Sequence, residues 1–169
     1  MSIDRSRAGK RARRRGNRGE NEVRDLIRHA GWTGAHRNFM SGGAGGGDLA
    51  DAIPDVHLEV KFVERLDLPG AWRQACAGAR PTDTPVVASR ANFQPWIGSL
   101  RLTDLMGLPV LAWAPMVIGP RAGVRAEFLA LKRTSEHPLL VHQVNADALA
   151  TVLFTDLLVL LGGQREAAA

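Results

Sequence analysis

From residue 56 to residue 62 the chain alternates. Val56, Leu58, Val60 and Phe62 fall on one side of an extended backbone, and His57, Glu59 and Lys61 on the other. A period of two predicts a half-buried strand. A second strand is expected over about 48–53, with Pro54 and Asp55 as the turn between them. Upstream, Val23, Leu26, Ile27 and Ala30 recur at helical spacing, which predicts a helix over 17–30 stopped by Gly31. A short strand is expected within 32–39, then a flexible glycine-rich stretch over 41–47. "LPGAWRQACAGA" predicts a helix with Pro69 near its start, "TPVVASR" a strand, and 97–102 a weaker strand. Beyond residue 103 the pattern is mixed: "PVLAWAP" and "AEFLALKR" read as strands, and "NADALATVLFTDLLVLLG" as a helix with Asn145 as N-cap. This order predicts an α/β protein with a mixed central sheet flanked by helices.

If Pro54 and Asp55 are the two turn residues of a hairpin, Asp48 faces Lys61 and Ala50 faces Glu59. Asp48, Glu59 and Lys61 then share one face, while Leu49 and Ile53 join Leu58, Val60 and Phe62 on the other. Asp51 falls on the apolar face in that register and is expected at a frayed edge or bulge. A change of one residue in loop length would reverse every assignment on one strand.

Charge changes the picture at the N-terminus. The first eighteen residues carry eight Arg and Lys against Asp4 alone, whereas the remainder holds fourteen basic and sixteen acidic residues. Arg11, Arg13, Arg14, Arg15 and Arg18 belong to this arm. Such a run repels itself, is expected to be disordered when free, and suits a polyanion, nucleic acid above all. One cysteine, Cys76, excludes an internal disulfide and reads as a small core residue. No signal-peptide pattern is visible, and the apolar run 146–161 is too short to cross a membrane and contains Asp156. A soluble, cytoplasmic protein without a membrane partner is expected.

Two carboxylates beside a lysine on a sheet suit a hard divalent cation, Mg²⁺ or Mn²⁺, with the backbone carbonyl of Val60 as a neutral ligand. A metal held there polarises a phosphoryl oxygen and acidifies a bound water, and Lys61 can orient that water. The competing interpretation is a solvent-facing ion pair on an ordinary strand. Glu20 and Glu22 both border the inward stripe of the first helix, and periodicity does not choose between them. The five histidines lack zinc-ligand spacing, and "SGGAGGGD" is not followed by the G-K-[ST] of a phosphate loop. The tryptophans, Trp72 included, read as core more readily than as base-stacking platforms.

Taken together, "RGNRGENEV", "HRNFMSGG", "GGDLA", "LEVK" and "WRQA" resemble the PD-(D/E)xK nuclease superfamily, in particular archaeal-type Holliday-junction resolvases and their phage relatives. The resemblance covers about 14–103 and departs from the motif at Gly47, where the family carries proline. It implies a restriction-endonuclease-like core over 17–103, preceded by a basic arm (1–16). A C-terminal α/β extension (104–169) would pack on the core or at a dimer interface. Residue by residue, it places Glu20 on the family's helical glutamate, Asp48 on the motif aspartate, and Glu59 and Lys61 on the ExK pair. Gln74 falls on a glutamine of the next helix, Arg37 on a basic residue near the junction, and Ser41 on a loop serine. The function implied is a Mg²⁺-dependent endodeoxyribonuclease that cuts branched DNA, most simply a four-way junction, as a homodimer. Alternatives are a nuclease of the same fold acting on linear or single-stranded DNA, and a non-catalytic nucleic-acid-binding protein.

Overall fold

The computed structural model describes residues 3–38, 47–108, 117–119 and 124–162. Helix α1 (Ile3–His29) precedes two short strands, β1 (His36–Arg37) and β2 (Leu49–Ala50), which pair antiparallel. Then come β3 (Val56–Phe62), α2 (Leu68–Gly78), β4 (Thr84–Arg90), β5 (Ile97–Arg101), α3 (Leu102–Met106), β6 (Val117–Gly119), α4 (Val124–Lys132), β7 (Leu140–Val144), β8 (Asp147–Leu153) and α5 (Phe154–Leu160). Six strands form one mixed sheet in the order β3-β4-β5-β8-β7-β6. The β3/β4 and β6/β7 pairs are parallel and the others antiparallel. The α/β class with a mixed sheet flanked by helices is thus as expected.

The apolar alternation of β3 decides what covers each face. Leu58, Val60 and Phe62 are buried against Val23 and Ile27 of α1, together with Leu49, Ala52 and Ile53. Gly19 permits the closest approach: a Cβ there would lie 2.8 Å from the Phe62 Cβ. The other face is covered by α2, whose Leu68, Ala71, Trp72 and Ala75 pack with Val87 and Ile97. Asp67 caps α2 by accepting from the Gly70 N–H at 3.0 Å. Trp72 is core and donates its indole N–H to Asp147 at 2.7 Å, which removes it from the surface as a stacking platform.

Several expectations are corrected. The basic arm is not disordered: α1 starts at Ile3 and runs through it without a break. Alanine and arginine are good helix formers, and the packed half from Gly19 onward supplies the nucleus that an isolated arm lacks. "AEFLALKR" lies in α4, where Val124 and Phe128 are buried one turn apart. The expected C-terminal helix is a hairpin followed by a short helix. Asn145 has φ 53° in a two-residue turn, with Val144 opposite Asp147, and so is not an N-cap. Strand β8 is covered on both faces, so its apolar run lacks alternation. It pairs directly with β5, so β6, β7 and β8 belong to the same sheet as β3, β4 and β5. Helix α5 buries Phe154, Leu157, Leu158 and Leu160 in the same core as α1. "PVLAWAP" and Ser41 lie outside the described residues. Among the described residues no helix is long and apolar enough to cross a membrane.

Candidate functional site

The hairpin register is overturned in an informative way. Residues 51–55 form an irregular turn with positive φ at Asp51 (48°) and Asp55 (55°), so the chain enters β3 without a ladder from β2. Asp51 is exposed at that bend. Asp48 does not face Lys61. It lies beside the outer edge of β3, donating its N–H to the Leu58 carbonyl at 3.2 Å and accepting the Val60 N–H on Oδ2 at 2.7 Å. Asn38 fixes this segment from the far side, its N–H on the Asp48 carbonyl (3.0 Å) and its Nδ2 on the Gly47 carbonyl (3.1 Å).

Because a strand residue sends its N–H and C=O to the same edge, the Val60 carbonyl points toward Asp48. Glu59 and Lys61, one residue to either side, turn to the face covered by α2 and bond to each other, Lys61 Nζ donating to Glu59 Oε1. Both are largely shielded, with side chains 16% and 28% exposed. Burial pushes the Asp48 carboxyl above its ordinary range, against the Val60 hydrogen bond; nearby Glu59 pushes it further, while Lys61 and His57 oppose. Two carboxylates, one of them partly desolvated, and an edge carbonyl make a hard, all-oxygen donor set that a divalent cation fits. Among the described residues no group of three or more His, Cys, Asp or Glu side chains converges on one point. The set is therefore two carboxylates, and further ligands would be water and phosphate oxygens, as is usual for Mg²⁺.

The two helical glutamates separate. Glu22 accepts from Arg18 (2.9 Å), Arg90 (3.2 Å) and the Trp96 indole N–H (3.2 Å) at the C-terminal ends of β3 and β4. Glu20 pairs with Arg37 at 2.6 Å, and Arg37 also donates to Asn17 at 2.9 Å. Arg37 stands opposite Leu49, next to Asp48, so Glu20 is tied to the Asp48 side of β3 through Arg37 and not through Lys61. Gln74 is exposed on α2. The helix runs back along β3, and Gly78 near its end touches His57. One turn earlier, about 5 Å, is nearly two residues along the strand, which sets Gln74 level with Glu59.

Sequence reasoning missed Asn17, Asn38, Arg90 and the seating of His57. The His57 ring is wedged between two glycines: a Cβ at Gly78 would lie 2.6 Å from Nε2, and one at Gly47 would lie 3.3 Å from Cε1. Glycines at these two positions were the available signal. Arg90 carried none, since it meets Phe62 only through the parallel β3/β4 register. Arg11, Arg13, Arg14, Arg15 and Arg18 are all exposed on α1. Cys76 is only partly buried, and that burial pushes its thiol up. Compared with protein-family models, with curated proteins and with solved structures, the chain matches none of them.

Proposed function

We propose that this chain is a divalent-metal-dependent endodeoxyribonuclease of the PD-(D/E)xK kind, with a restriction-endonuclease-like core, that cuts branched DNA and in particular four-way junctions as a homodimer. The observation that carries the reading is the seating of Asp48 on the Val60 N–H at the edge of β3, beside the Glu59–Lys61 pair. In this reading Asp48, Glu59 and the Val60 carbonyl would hold Mg²⁺ or Mn²⁺. The metal would supply Lewis acidity at a phosphoryl oxygen and lower the pKa of a water. Lys61, kept in place by Glu59, aims its ammonium at the attacking water or at the charge that develops on the phosphate. Glu20 holds Arg37 beside Asp48, where its guanidinium meets a phosphate flanking the scissile one. Gln74, exposed on α2 level with Glu59, would meet the DNA on the α2 side of the site. Arg7, Arg11, Arg14, Arg15 and Arg18 of α1 grip the DNA backbone, which adds affinity without base choice.

The test uses end-labelled four-way junction, matched linear duplex and single strand, each with Mg²⁺ or EDTA, beside Glu59→Ala and Lys61→Ala. Paired nicks on the junction alone, lost in EDTA and reduced about a hundredfold or more in either variant with junction binding intact, are the expected result. Metal-dependent cutting of all three substrates would retain the site and make the chain a general nuclease. Cleavage that survives Glu59→Ala would refute the site assignment. Tight binding without cutting would leave a nucleic-acid-binding protein.

A further inference from the structure

Helix α1 is one rod in two parts. From Gly19 onward it packs on β3, and before that it projects past the C-terminal end of β3 with Arg7, Lys10, Arg11, Arg13, Arg14, Arg15 and Arg18 exposed. At about 100° per residue, Arg7, Lys10, Arg11, Arg14, Arg15 and Arg18 fall within an arc of about 140°, while Arg13 lies outside it. The stripe runs onto the body of the protein without a gap. The Arg15, Arg18 and Arg90 guanidiniums stand 5.8, 5.1 and 4.7 Å from the Phe62 ring centroid, and Arg90 is also 5.5 Å from the Trp96 ring. Glu22 pins Arg18 and Arg90 together, and Arg15 reaches Glu64 at 3.6 Å. The Arg90 Nε is buried without a hydrogen-bond partner. Stacking on Phe62 and the carboxylate of Glu22 hold these cations in place before any ligand arrives.

We propose that this track, from Arg7 to Arg90, binds the sugar–phosphate backbone of a duplex nucleic-acid arm on one side of the reacting phosphate, and that it works as a rigid helix, not as a flexible cationic tail. It deepens the nuclease reading above by naming the substrate element that reading requires. From Arg7 to Arg18 the helix rises about 16 Å, which matches about five base pairs at 3.4 Å each. The like charges spaced three and four residues apart repel one another in the free protein, and a polyanion relieves that repulsion.

The experiment measures binding in EDTA, so it is independent of whether the chain cleaves anything. Junctions with one arm shortened stepwise from ten to three base pairs are titrated at several salt concentrations against the full chain, Ala12→Pro, Arg13→Gln and Arg14→Gln. Ala12→Pro keeps every charge and breaks the helix behind Arg7, Lys10 and Arg11. Its salt slope should fall by about 2.7, or 0.9 for each of three contacts. The full chain should lose affinity once the arm is shorter than about five base pairs, and Ala12→Pro should not show that step. Arg14→Gln should lower the slope by about 0.9 and Arg13→Gln should leave it nearly unchanged. Circular dichroism of each variant confirms that the α/β body is folded. An Ala12→Pro variant with the parent's slope and length dependence, or equal effects at Arg13 and Arg14, would show that only net charge matters and overturn the proposal. Equal affinity for vesicles of anionic phospholipid and for duplex would overturn it as well.

Discussion

Neutralising Asp48 should stabilise the metal-free protein while abolishing its response to metal. In Asp48→Asn the side-chain oxygen can still accept the Val60 N–H now held at 2.7 Å. What disappears is the Asp48 carboxylate, withdrawn from water next to Glu59, and its pKa is raised in the fold above the ordinary 3.8. A raised carboxyl pKa means that the fold prefers the protonated form. The associated stability is therefore present at low pH and lost as pH rises from 3.8 through the folded value. The raised value is already net of the charge assistance of the Val60 hydrogen bond, so no further cost stands against it. Asp48→Asn in EDTA at pH 7 should therefore gain stability, on the scale of about 1 kcal/mol usual for a stabilising single substitution, or a rise in Tm of about 3 °C for a chain of this size. The gain should shrink as pH falls from 7 toward 4. Mg²⁺ at ten times its dissociation constant should stabilise the parent by about 1.4 kcal/mol and leave the variant unmoved. Thermal and urea denaturation with EDTA or Mg²⁺ measure both effects. Loss of stability in EDTA would make Asp48 a structural strand cap, and equal Mg²⁺ stabilisation of both proteins would place the metal elsewhere.

Two further outcomes follow from the packing. His142 is buried, its Nε2 on the Thr151 hydroxyl at 2.8 Å, and burial lowers its pKa from 6.5 to about 4. It is held neutral, so the fold should lose about 2 kcal/mol between pH 7 and pH 5 as the unfolded state takes up a proton. His142→Leu leaves the Ser99–Thr151 hydroxyl pair in place and should remove most of that loss in urea denaturation; parallel pH profiles would exclude His142 as the source. Gly19→Val should cost about 1–3 kcal/mol by forcing α1 off Phe62, where a Cβ would sit at 2.8 Å. A lowered Tm with faster proteolysis of α1 is the expected signature, and an unchanged Tm would show that the helix–strand contact yields freely.

Strand β3, helix α2 and strand β4 were legible because each has a periodicity visible over one segment, with Asp67 and Pro69 opening the helix. The residues of the candidate site were visible too, as a Glu-x-Lys on the polar side of an alternating strand and an aspartate shortly before it. Where both faces of a strand are buried, as in β8, the period vanishes and helix and strand look alike. In α4 the spacing of Val124, Phe128 and Leu131 was helical, but the run is short enough to pass for a strand.

What the chain's own pattern determined is which residues seek burial and which charges lie close along it, for these follow from local spacing alone. Tertiary structure decided the rest. Asp48 occupies the edge of β3 and not its face because the turn at 51–55 consumes the residues a hairpin ladder would need. Glu20 and Glu22 part company because α1 crosses β3 at Gly19 and sends one toward Arg37 and the other toward Arg90. Arg90 joins Phe62 because parallel pairing brings together residues 28 positions apart. Edge, crossing and pairing all arise from burying two faces of one sheet at once, a condition on the whole chain that no single segment records.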